Sequence, residues 1–280
     1  MESIENSAPK SNQQDKYTHD YSDVFIQALM SRSAATEAAF FLPYLHPNMT
    51  LLDCGCGPGA ITIDLAKIVN PGQVTGIDID ESQIEFARNH ASGLGIGNLG
   101  FKVADIYGLP FPDDSFDAAF AHTTFQHLSD PVRALKQVYR VLKPRGVVGI
   151  RDDDFGVSCW FPTNPMMQKG HEIFQKVWKH NGGDPLFGRK QRQVLREAGF
   201  NPIKATASCF SCGTPEALEE HSKFLLAMGS APNFRNQAVA LNLCDEDFLD
   251  DLTEEWRNWR QNPDAFLAVI FCEAVGWVYF

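Results

Sequence analysis

The chain has 280 residues, of which 44% are hydrophobic and 21% charged, and its formal net charge is −11. That length suits one α/β domain with a sizeable insertion or cap, and the composition is that of a globular protein with a real core. Polyanion binding needs clustered Lys and Arg, and no basic run exists, so DNA, ribosomal RNA and tRNA are poor partners.

No stretch approaches the roughly 18 to 20 uninterrupted apolar residues of a membrane-spanning helix. The first ten residues are polar, carry two glutamates and do not resemble a secretory signal, which makes a cytoplasmic protein the default expectation. Seven scattered cysteines do not form a disulfide framework. Cys209 and Cys212 have Cys-x-x-Cys spacing, but a strand there would point them to opposite faces, and no second pair is evident; no metal is expected.

Residues 1 to 16 are rich in Ser, Asn, Gln and charge, which predicts a disordered start. Asp23 to Met30 and Ala34 to Leu45 read as helices, the second apolar at Ala38, Phe41, Leu42 and Leu45. Strands and helices then alternate. Thr50 to Asp53 is a short apolar strand, a glycine loop follows, and Ala60 to Val69 is helical until Asn70-Pro71-Gly72. Gln73 to Ile77 is a strand, and Glu81 to Ser92 is a helix with Asp80 as its N-cap. Phe101 to Ala104 and Phe116 to Ala121 are further strands. Pro131 to Leu142 is a helix stopped by Lys143-Pro144-Arg145-Gly146, and Val147 to Ile150 is a fifth strand. Beyond Asp154 come helices at 166–180, 190–198, 216–228 and 245–260, with strands at 203–210 and 266–275. Such alternation predicts an α/β, Rossmann-like, doubly wound sheet of seven mostly parallel strands. The core would span 35–155 of one domain covering 17–280, with cap segments at about 155–185 and 215–262.

The chemistry starts at Asp53-Cys54-Gly55-Cys56-Gly57-Pro58-Gly59. A strand ending in a tight glycine turn that feeds a helix lets a nucleoside or amino-acid ligand approach the main chain. Gly55, Gly57 and Ala60 also satisfy the dinucleotide pattern G-x-G-x-x-G/A, so the loop alone leaves a nicotinamide site open. Asp53 tips the balance: a carboxylate at the strand's end suits a cationic amino group and would repel a pyrophosphate. Asp78 ends the second strand, where an acid can bond ribose hydroxyls. Asp105 ends the third, where it can accept from an adenine amino group with Ile106 or Ile79 on the ring. Three acids ending three successive strands form a pattern.

These segments, with Leu109-Pro110-Phe111-Pro112-Asp113-Asp114-Ser115-Phe116-Asp117, Gln126-His127-Leu128, Asp130-Pro131 and Arg140-Val141-Leu142-Lys143-Pro144, resemble class I S-adenosylmethionine-dependent methyltransferases of the ubiquinone/menaquinone-biosynthesis type. The resemblance covers about residues 35 to 155. It implies S-adenosyl-L-methionine as cofactor, with Gly55, Cys56 and Gly57 near its methionine part. Asp78 and Gln83 would lie toward the ribose, and Ile79, Ala104, Asp105 and Ile106 around the adenine. It also implies His122 beside the reactive sulfonium, and Tyr17 and Arg32 closing over the methionine carboxylate.

The implied reaction is in-line methyl transfer to an O, N or C atom of a small-molecule acceptor. A base is needed only if the acceptor must lose a proton. The candidates are His122 and His127, with Asp154 as orienter or alternative, and Trp160, Phe161, Phe187 and Phe210 are candidate lining for an apolar acceptor pocket. A family member that binds the cofactor without transferring methyl, cyclase-like or regulatory, has the same loop, and a NAD-dependent oxidoreductase is the more distant alternative. Oligomeric state is open, a homodimer included.

Overall fold

The computed structural model describes residues 15–18 and 22–279, so the expectation for residues 1 to 14 lies outside the described residues. Five parallel strands form the centre, β1 (Leu51–Cys54), β2 (Val74–Asp78), β3 (Leu99–Val103), β4 (Phe116–His122) and β5 (Leu142–Asp153), in the order 3-2-1-4-5. The order reverses at β1, whose Leu52 pairs with Thr75 on one side and Ala119 on the other. Ligands bind beyond the carboxyl ends of strands at such a switch point. β8 (Phe266–Trp277) runs antiparallel to β5, and β7 (Ile203–Cys212) runs antiparallel to β8 on its far edge. β6 (Cys159–Phe161) prolongs the β5 side by pairing with residues 266–268.

Period-two alternation of apolar side chains builds a core on each face. Leu51, Ala118, Phe120 and Val147 face α3 (Ala60–Val69), whereas Leu52, Ala119, Ala121 and Val148 face α5 (Pro131–Val141) and α7 (Gln191–Ala198). The α4 helix (Glu81–Ser92) packs Ile84 and Ala87 on Phe101. Asp80 accepts from the Ser82 and Gln83 amides as the expected N-cap, and Asp130 caps α5 through the Arg133 amide. Around the sheet lie α1 (Asp23–Met30), α2 (Ala34–Glu37), α6 (Pro165–His180), α8 (Pro215–Ser230), α9 (Pro232–Ala240) and α10 (Glu246–Trp259). The α6, α8, α9 and α10 helices pack on one another, and α8 also packs on α1. Among the described residues no helix is long and apolar enough to cross a membrane.

Three local expectations need correction. The helix expected over 34–45 stops at Glu37, because Phe41 turns beneath the sheet. Its ring stacks on Phe120 at 5.8 Å and fills the space over Gly149, where a Cβ would lie 2.4 Å from it. Lys143 to Gly146 does not separate α5 from β5: the strand begins at Leu142, and its pairing with β4 shifts register across these residues. The α9 helix and the three-residue β6 lie outside the expected elements; β6 adds to the end of β8, beside the expected seven-stranded sheet, whose order is 3-2-1-4-5-8-7.

Candidate active site

A cavity of about 750 Å³ opens at the carboxyl ends of β1, β2, β3 and β4. It is lined by fourteen of the fifteen residues singled out above, namely Tyr17, Arg32, Asp53, Gly55, Cys56, Gly57, Asp78, Ile79, Gln83, Ala104, Asp105, Ile106, His122 and His127. Asp154 is not among them. Both its oxygens are held by Arg189, at 2.5 and 2.7 Å, and its carboxyl sits below the ordinary carboxylate range despite burial because of those bonds. The expectation that it orients a histidine is therefore corrected.

The glycine loop is shaped by its backbone. Gly55, Gly57 and Gly59 have φ of 72°, 51° and 87°, a left-handed run that residues with a Cβ resist. A Cβ on Gly55 would lie 2.4 Å from Thr124 Oγ1, so β4's end closes directly on the loop. One on Gly57 would meet only Leu29, at 3.9 Å, so the loop is open above that residue.

Asp53 is 3% exposed and faces α3, where its Oδ2 accepts a 2.6 Å hydrogen bond from Thr62. Burial pushes its carboxyl up to about 7, partly offset by that hydrogen bond and reinforced by the nearby Asp78 charge. Asp78 ties two turns together. Oδ2 accepts from the Gly57 amide and Oδ1 from the Asp80 amide, both at 3.0 Å. Burial raises its pKa, against those backbone bonds. Each carboxylate oxygen accepts two bonds, so two lone-pair sites remain. Asp105 Oδ1 accepts from the Tyr107 amide and caps a short turn. Ile79 is 63% exposed, an unusual state for isoleucine that leaves a bare apolar flank on the cavity. Gln83 is buried, and its Oε1 has no partner among the described residues.

An open glycine cradle, an acceptor-rich strand end, an exposed apolar flank and an orphaned buried amide oxygen fit a nucleoside joined to an amino acid. Polar groups buried this way are otherwise nearly always paired.

The acceptor end is more highly charged. His122 is 6% exposed; its Nε2 lies 3.5 Å from Glu37 Oε2 and its Nδ1 3.5 Å from Arg151 Nη1. An arginine can only donate, so Nδ1 is the accepting nitrogen and Nε2 carries the proton that faces Glu37. Burial, then the Arg32 and Arg151 charges, hold His122 well below the usual histidine range. A ring whose pKa is held this low, and whose accepting nitrogen faces the Arg151 guanidinium, is a weak general base. Arg151 pairs with Glu37, lies 3.5 Å from Glu273, and sits over the Phe271 ring at 3.7 Å. Arg32 donates to Thr123 Oγ1 at 3.1 Å. His127 is sandwiched, with its ring 4.6 Å from Trp178 and 4.8 Å from Tyr17.

Several contributors carry no sequence signal. Glu37 falls within the overextended helix. Glu273 lies 122 residues beyond Arg151 and joins it only through β5–β8 pairing. Asp15 was placed in the polar start, yet it accepts from Tyr107 Oη at 2.6 Å and from the Ser129 amide, and it lines the cavity mouth. The four proposed acceptor aromatics do not converge here. Phe187 is buried against Phe125, Phe161 is exposed, and Phe210 packs on His221; Trp160 lines a different cavity. Cys209 is exposed and Cys212 buried, on opposite faces of β7.

A family model described as a methyltransferase domain matches residues 45–199. The chain is similar to the probable methyltransferase ltbC of Aspergillus luteorubrus, at 28% identity over 288 residues, covering 95% of this chain and 98% of that protein. It is also similar to the O-methyltransferase cnsE of Penicillium expansum, at 37% identity over 158 residues, covering 56% and 53%. Among solved structures, the YcgJ protein of Bacillus subtilis superposes with a TM-score of 0.58 at 18% identity, covering 88% of this chain and 99% of that one. A phosphoethanolamine N-methyltransferase of Haemonchus contortus, solved with S-adenosyl-L-methionine, has a TM-score of 0.55 at 18% identity, covering 88% and 53%. At these identities the two structures show a shared fold.

Proposed function

The chain belongs to the family of S-adenosylmethionine-dependent methyltransferases acting on small molecules, and on that premise we propose that it methylates its acceptor without His122 as a base. The observation that carries this reading is the surroundings of His122, which lines the cavity but turns its accepting Nδ1 toward the Arg151 guanidinium, 3.5 Å away.

When bound, S-adenosylmethionine supplies an electrophilic methyl group on a cationic sulfur. The ionised Asp53 holds the amino group, Arg32 and Tyr17 hold the carboxylate, and Asp78 accepts from the ribose hydroxyls. Ile79 and Ile106 cover the adenine, whose amino group donates to Asp105. Gln83 Oε1, orphaned and buried, accepts from the ribose as well. His122 and Thr123 form the wall past which the acceptor approaches. The Glu37–Arg151–Glu273 contacts hold that wall, while burial and the Arg32 and Arg151 charges disfavour protonation of His122. Rate then comes from alignment and exclusion of water, which in-line displacement chiefly requires.

Titration calorimetry with S-adenosylhomocysteine against NAD, followed by labelled-methyl transfer to a panel of phenols, amines and carbon acids, tests the reading. Binding of NAD alone defeats it. Tight S-adenosylhomocysteine binding with no transfer to any acceptor favours a family member that has lost methyl transfer.

A further inference from the structure

A second cavity of about 110 Å³ lies among α6, α8, α9, α10, β6 and β8, apart from the cofactor cavity. Its walls are Phe155, Trp160, Phe174, Phe234, Trp256 and aliphatic groups such as Leu225 and Val269, with no Lys, Arg, Asp or Glu lining it among the described residues. Apolar cavities of about 150 Å³ take up a benzene ring, so this one matches a single small ring. Its two histidines are uncharged near neutral pH, since burial lowers His171 and pushes His221 down to about 4. Two lining residues carry buried polar atoms with no partner among the described residues, Trp160 Nε1 and Ser158 Oγ. An indole N–H can only donate, so its missing partner is an acceptor atom.

The place of this cavity in the sheet relates it to methyl transfer. Leu267 and Val269 line it, and Phe271 lies two residues further along the same face of β8. The Phe271 ring is 5.9 Å from His122, which lines the cofactor cavity. The two cavities thus lie along one strand face, with Phe271 between them and roughly 7 Å separating its backbone position from that of Val269.

We propose that the cap cavity is a subsite for one uncharged aromatic ring bearing a carbonyl or ether oxygen, and that it holds the part of the acceptor remote from the methyl group. The oxygen accepts from Trp160 Nε1, and the rest of the acceptor runs past Phe271 toward His122. This subsite rests on the methyltransferase reading above, to which it adds a substrate class.

Acetophenone is the probe, titrated into the full chain by ligand-observed NMR with and without saturating S-adenosylhomocysteine. Acetophenone and S-adenosylhomocysteine are expected to bind together, with benzoate at least tenfold weaker than acetophenone. Trp160→Phe should weaken acetophenone about tenfold and leave toluene unchanged, while Leu225→Trp, or Val269→Phe from the opposite wall, should abolish binding of both. 4-Hydroxybenzophenone, long enough to pass Phe271, should bind at least tenfold tighter than acetophenone. Competition between acetophenone and S-adenosylhomocysteine, equal affinity for benzoate, or intact binding in both filled variants would overturn the subsite. No gain from the longer probe would overturn its direction. Because S-adenosylhomocysteine binding is read in the same samples, loss of acetophenone alone defeats this inference, and loss of cofactor binding defeats the parent reading.

Discussion

On the proposed reading, in which Asp53 holds the amino group, cofactor affinity should depend on pH in a defined direction. Its carboxyl, buried beside Thr62 and near Asp78, titrates at about 7 without ligand. Holding a cationic amino group requires the ionised form, so a protonated Asp53 must release its proton before the ligand is held. The raised pKa puts that release in the window below 7: affinity is full above it and falls as pH drops through it. With one proton linked, the dissociation constant of S-adenosylhomocysteine should rise about tenfold between pH 8 and pH 6, and about tenfold again by pH 5, or roughly 1.4 kcal/mol per unit. Titration calorimetry in buffers of different ionisation enthalpy reads both the affinity and the proton released. Thr62→Val removes the hydrogen bond that favours the carboxylate and should move the midpoint upward. Asp53→Asn should bind weakly at every pH, with the slope gone. A flat wild-type profile from pH 5.5 to 8 refutes the argument. A slope that persists in Asp53→Asn transfers it to Asp78, the other buried carboxyl of the site.

Three further outcomes follow from measured contacts. Gly55→Ala combines a left-handed φ of 72° with a Cβ 2.4 Å from Thr124 Oγ1, which bonds the Cys54 and His122 carbonyls at 3.1 Å. It should cost about 2 to 3 kcal/mol in chemical denaturation, of which a Thr124→Ala background relieves about 1; strict additivity would show that the close approach carries no energy. His122→Asn should lower kcat/KM about tenfold by loosening the acceptor wall while leaving the shape of the pH–rate profile unchanged. An inflection near 6.5 that vanishes in the variant would restore His122 as a base. Arg189→Ala leaves the Asp154 carboxylate with backbone amides such as that of Gly156 as partners and should lower the midpoint of chemical denaturation. Its S-adenosylhomocysteine affinity should stay within twofold of wild type; a much larger loss would return Asp154 to the site.

The cofactor half was legible because its parts are local. Asp53, Gly55, Gly57 and Asp78 lie at strand ends that hydrophobic alternation already marks, and the chemistry of a carboxylate after a strand does not depend on distant contacts. The surroundings of the base candidates were not legible, for the opposite reason. His122 ends β4 as expected, but its protonation is governed by burial and by the charges of Arg32 and Arg151, which come from separate segments. Asp154 likewise looked available beside its acidic neighbours until Arg189, 35 residues onward, proved to hold it. The Ala34 to Leu45 reading shows the same limit in the backbone. Its apolar spacing is helical, yet Phe41 is claimed by Phe120 and the gap over Gly149, and propensity yields to that packing.

The division has a consequence for how such an enzyme changes substrate. The cofactor cradle depends on backbone conformation and on Asp78 bonding the Gly57 amide, so few substitutions leave it intact. The acceptor side is composed differently. Phe271, Val269 and Leu267 share one face of β8, a strand that pairs with β5, β6 and β7, while the rest of the cap cavity is walled by Phe155, Ser158, Trp160 and side chains of α6, α8, α9 and α10. Replacing a side chain at Leu225 or Trp256 alters the cavity without touching any residue that holds the glycine loop. Arg151 is the exception, since it bonds Glu37, contacts Glu273 and stacks on Phe271 at once. It ties β8 to the His122 wall, so an acceptor spanning the two cavities as proposed would run beside a buried ion pair as well as the apolar residues of β8. On that proposal, acceptor size would change with cap residues such as Leu225 and Trp256, and the reach from ring to methyl group with the packing around Arg151.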